Sequence, residues 1–116
     1  MLPNRVRLST KVTNKMQYMK SQIGITPNIL SRFAIMLAIK EGSNLKNSGS
    51  EDSDGQVLDK SVLFGEHAEV YDVLINQYIH DHDIELDIQN TITSLIEVGV
   101  YKMGHVKNLS DLCELK

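Results

Sequence analysis

Apolar and polar residues alternate at the start of this chain and then change to a helical spacing. Val6 and Leu8, with Thr10 less clearly, stand at even positions while Arg5, Arg7, Ser9 and Lys11 stand at odd ones, the period of two that gives a strand one dry face and one wet face. A short strand with a cationic face is predicted. From Thr13-Asn14 the apolar residues are Met16, Met19 and Ile23, with Lys15 and Lys20 elsewhere on the wheel, which predicts a helix of about three turns. Gly24 is placed to end that helix in the left-handed conformation. Thr26-Pro27 opens another, because a threonine oxygen accepts from an orphan amide and a proline is preorganised for the first helical position. Ile29, Leu30, Phe33, Ala34, Leu37 and Ala38 give this second helix a broad apolar face, and Gly42 is its predicted end.

The pattern then lapses. Between Ser43 and Lys60 the chain is rich in Ser, Asn, Gly and acids, with almost nothing to bury, and reads as a flexible polar loop. Its Glu51, Asp52 and Asp54 echo a calcium loop, but Val62 or Leu63 stands where the closing bidentate Glu is required. From Leu63 helical spacing resumes at Ala68, Val70, Tyr71, Leu74, Ile75, Tyr78 and Ile79, and again at Ile88, Ile92, Leu95, Ile96 and Gly99 after Asp87. Leu109, Leu112 and Leu115 make a smaller amphipathic tail. The fold class expected is mainly α: a short strand and two helices, followed by two to three further helices, in one domain over 1–116. Its parts are a basic unit at 2–42, an acidic polar loop at 43–60 and an acidic helical part at 61–116.

Charge sharpens this division. Up to Lys46 there are eight Lys and Arg against one acid, a net of +7, and from Asn47 there are four against fourteen, a net of −10, which together make the −3 of the whole chain. Such asymmetry points to a polyanion-binding face. The candidate residues are Arg5, Arg7, Lys11, Lys15, Lys20 and Arg32, the last on a helix that must also pack. With 5% aromatic residues and no Trp, a stacking platform for single strands is disfavoured and duplex backbone is the better target.

A lone strand and two short helices cannot enclose a core, and the strand has unpaired edges. Self-association is therefore expected, most economically with two chains pairing their strands in an antiparallel ribbon backed by helix pairs, the ribbon-helix-helix arrangement of β-ribbon DNA readers. The segment GITPNILSRFAI is similar to the second-helix entrance of that class. Phe33 and Leu37 are the candidate residues for an intersubunit core.

Taken together, LPNRVRLSTKVTNKM, GITPNILSRFA and the later LFGEHAEVY resemble the DndE family, small DNA-binding components of the bacterial DNA phosphorothioation system, which replaces a non-bridging phosphate oxygen with sulfur. The resemblance covers residues 2 to 42 closely and 62 to 115 loosely. It implies a ribbon-helix-helix variant that assembles as a homotetramer with other subunits of the modification machinery as partners. It also implies binding of duplex DNA, nicked duplex in preference, without catalysis.

Enzyme signatures are absent from the sequence: there is no Gly-rich phosphate loop, no Gly-x-Ser-x-Gly elbow and no paired Cys clusters. Glu66 and His67, with Tyr71 one turn on, read as the first turn of a helix rather than an acid and base. His80-Asp81-His82-Asp83 has metal-ligand chemistry, but alternate residues on a helix diverge, so no metal or other cofactor is expected. Cys113 alone cannot form an intramolecular disulfide, which suits a reducing cytoplasm. The longest apolar run, Ala34 to Ile39, is far short of a membrane span. The other functional classes open at this point are a sequence-specific repressor reading bases from Arg5 and Arg7, and an adaptor whose acidic helices dock a partner.

Overall fold

The computed structural model describes residues 2–40, 55–82, 84 and 88–103. The strand expected at the start is present as β1, Arg5–Arg7, with Val6 buried and both arginines outward. The alternation ends sooner than the spacing suggests. Ser9 leaves the strand to cap helix α1, Thr10–Ile23, its hydroxyl accepting from the Val12 amide at 3.2 Å. Thr13 donates its hydroxyl to the Ser9 carbonyl at 2.8 Å. Lys11 therefore belongs to the first turn of α1 rather than to the strand, and the helix begins three residues before Thr13.

β1 finds its partner within the same chain. Val57–Asp59 forms β2, antiparallel to β1, in the register Arg5↔Asp59, Val6↔Leu58 and Arg7↔Val57. The Leu8 amide donates to the Gln56 carbonyl at 3.0 Å, and the Lys60 amide to Asn4 at 2.7 Å, extending the ladder at both ends. This corrects two expectations. The end of the polar loop is a strand, and β1 is not a lone strand, because one of its edges is paired within the chain. Three residues with a single buried member, Leu58, are too few to register as alternation.

α1 buries Val12, Met16 and Met19. It ends at Gly24, whose φ of 82° is left-handed and whose amide caps the Lys20 carbonyl at 2.8 Å. α2, Pro27–Lys40, then departs at 107° to α1, and the Ser31 hydroxyl donates to the Met16 sulfur at 3.4 Å where the two helices meet. After β2 come the short helix α3, Lys60–Leu63, a 3-10 turn over Gly65–His67, α4 from Ala68 to Asp81, and α5 from Ile88 to Lys102.

The core forms where α2 crosses α5. Every residue from Thr91 to Glu97 is buried, so the middle of α5 is enclosed on all sides, and Thr93 satisfies its hydroxyl by donating to the Gln89 carbonyl at 3.0 Å. Gly99 allows the close approach: a Cβ there would lie 2.1 Å from the Ala34 carbonyl oxygen. Around this crossing lie Val6, Leu8, Leu30, Ile35, Leu58, Phe64, Ile75 and Met103, all buried. The Phe64 and Tyr71 rings pack at 5.0 Å between centroids. Val70, expected on the apolar face of α4, is exposed, because that helix buries only Tyr71, Ile75 and Tyr78. The acids at 51–54, Asp83, Asp87, the predicted helix end at Gly42, the leucine tail and Cys113 lie outside the described residues.

Candidate nucleic-acid interface

The predicted cationic residues sort into four settings. Arg5 and Arg7 share the outer face of β1, where Arg5 meets Asp59 across the strand pair at 3.4 Å with both side chains largely in solvent. Such a pair is worth about 0–1 kcal/mol, so a phosphate can exchange for Asp59 cheaply. Lys11 and Lys15 stand about 40° apart on α1, four residues apart in sequence, and converge on one ring. Their ammonium nitrogens lie 5.0 and 4.6 Å from the Tyr101 centroid, in the last turn of α5. Lys20 is exposed but sits on the opposite flank of the buried stripe, roughly 180° from Lys11.

Arg32 has a different occupation. Its guanidinium donates to the Leu63 carbonyl and, at 3.0 Å, to the Val62 carbonyl, tying α2 to the end of α3. The same charge opposes the effect of burial on Tyr71, whose phenol is nevertheless held above its usual range by desolvation. Arg32 is thus engaged in holding the protomer together.

The two interface candidates also separate. Leu37 is 8% exposed and lies in the protomer's own core. Phe33 and Met36, each 43% exposed, lie on the outer side of α2. His80 and His82 are exposed, and the His82 ring packs on Tyr78 at 4.4 Å. Glu66 and His67 are exposed in the 3-10 turn while Tyr71 turns inward against Phe64. No group of three or more metal-ligating side chains occurs among the described residues, and no single described helix is long and apolar enough to cross a membrane.

Sequence reasoning missed Tyr101. A low aromatic content says nothing of where the few rings lie, and Tyr18 and Tyr101 are both at the surface. Only the packing of α5 beside α1 brings the latter under the lysines.

The arrangement defines a small helical protein that turns cations outward from a strand and the helix that follows it. The chain matches the family described as DNA sulphur modification protein DndE over residues 5–111. It belongs to that family, which takes part in DNA phosphorothioation. A crystal structure of DndE from Escherichia coli B7A, involved in DNA phosphorothioation modification, superposes with a TM-score of 0.74 at 27% identity, covering 89% of this chain and 98% of that one. A DndE G21/24K mutant structure superposes with a TM-score of 0.71 at 25% identity, covering 89% and 99%. No curated protein matches the sequence.

Proposed function

We propose that this chain is a non-catalytic DNA-binding subunit of the phosphorothioation machinery, working in the cytoplasm. It holds duplex DNA through the phosphate backbone with little regard to sequence. The observation that carries this reading is the outward presentation of Arg5 and Arg7 on β1 and of Lys11 and Lys15 on α1. Cations distributed over two elements suit phosphates, which position a protein without specifying sequence.

Preference for nicked duplex, assembly as a homotetramer and association with other subunits of the machinery follow from the family resemblance. The apolar outer side of α2, with Phe33 and Met36, supports self-association. On α4, exposed Val70 and Val73 stand among Glu66, Glu69 and Asp72, a surface suited to a partner subunit.

The test is fluorescence anisotropy on unrelated duplexes, intact and nicked, over a salt range, with the assembled mass measured by light scattering. Equal affinity for unrelated sequences, tighter binding to the nicked forms and a steep salt dependence are expected. A large preference for one sequence, abolished by Arg7→Ala, would replace this reading with a base-reading repressor.

A further inference from the structure

We propose that Tyr101 is a positioning residue that holds Lys11 and Lys15 as a two-pronged phosphate clamp; this rests on the duplex-binding reading above. Three local features converge on it. Lysines four residues apart on one helix repel each other. Lys11 also stands in the first turn of α1, where the helix dipole disfavours a cation. Yet both side chains are drawn over a single half-exposed ring, with nitrogens 5.0 and 4.6 Å from its centroid. The electron-rich face of the tyrosine offsets the repulsion and restricts where two flexible side chains reach. An anion seated against both ammonium groups relieves the repulsion and gains from the positive end of α1. The chemical class that fits is a phosphodiester of the DNA backbone.

The ring comes from another element than the lysines. The middle of α5 is the buried centre of the fold, so Tyr101 stands on a helix that is packed into the core. A surface cation pair is thereby tied to the core without being buried. Pre-organisation of this kind reduces the side-chain entropy lost on binding.

The experiment measures duplex affinity over a salt range for the full chain carrying Tyr101→Leu, Tyr101→Met or Tyr101→Phe. Each change is made in the native background and with Lys11 and Lys15 both changed to Ala, and thermal unfolding reports on folding. Leu and Met should each weaken binding about twofold to fivefold, the size of an exposed cation–π interaction, while Phe retains native affinity. In the background lacking both lysines, Tyr101→Leu should have no effect. Native affinity in folded Tyr101→Leu and Tyr101→Met would overturn the proposal. An equal loss with and without the lysines would also overturn it, by showing that the ring touches DNA itself. If the lysine substitutions leave binding unchanged while Arg5→Ala and Arg7→Ala weaken it, the duplex reading survives and the clamp does not. A folded native chain that binds no duplex at any salt concentration would remove both.

Discussion

α1 and α2 are consecutive helices of 14 residues each, joined through Gly24, and they spend their side chains in opposite ways. α1 has one buried stripe, Val12, Met16 and Met19, and presents Lys11, Lys15 and Lys20 on its flanks. α2 buries Leu30, Ser31, Ala34, Ile35, Leu37 and Ala38, commits Arg32 to backbone carbonyls, and leaves an apolar outer edge at Phe33 and Met36. The difference follows from position in the fold. α2 crosses α5 closely enough to require Gly99 against Ala34, whereas α1 covers the core from one side. A helix with one wet side is free to carry charge, and a helix in the middle of a core has only its outer edge to offer.

Substitution of the two neighbours on α2 gives the largest contrast. Leu37→Ala should destabilise the protomer by about 2–5 kcal/mol in chemical denaturation, as a core truncation. Phe33→Ala should change protomer stability by less than about 0.5 kcal/mol while shifting the assembled mass in light scattering downward. Equal effects from the two would erase the distinction between inner and outer faces of α2.

Arg32→Ala comes next. Loss of a charged donor from the Val62 and Leu63 carbonyls should cost about 1–3 kcal/mol of stability, with the salt slope of duplex binding unchanged. Lys15→Ala should do the reverse, leaving the unfolding midpoint in place while the slope falls by about 0.9. If Arg32→Ala proves stable and flattens the salt dependence, the two helices share one electrostatic role after all.

The smallest effect is alkaline. Burial raises the phenols of Tyr71 and Tyr78 above the ordinary value of 10.0, so in strong alkali the unfolded chain loses these protons first. Their contribution is fully present below the unfolded value and is lost as pH rises through the folded one. Denaturation midpoints measured from pH 8 upward should fall beyond about 10, and Tyr71→Phe should reduce the fall. A substitution on the solvent side of α1, such as Lys20→Ala, should leave that profile unaltered.

Much of this was legible in the linear order of residues. Val6 between Arg5 and Arg7 marked the strand, Met16 and Met19 the first helix, Gly24 its stop and Thr26-Pro27 the restart. These signals lie within a few residues of one another, and local backbone preference together with apolar periodicity expresses them directly. The family resemblance came from the same stretch and from LFGEHAEVY. Charge counting likewise separated a basic beginning from an acidic remainder.

What the order of residues left open was decided by contacts between distant segments. β2 has one buried residue and no pattern of its own; it is a strand because β1 supplies an edge for its backbone hydrogen bonds. Arg32 and Lys15 look alike as cations until α3 delivers two carbonyls to one and α5 delivers a ring to the other. Leu37 and Phe33 are both apolar and four residues apart, yet the direction from which α5 approaches buries one and leaves the other at the surface. Periodicity fixes which residues share a helix face, but the partner that covers the face is selected by packing over the whole molecule.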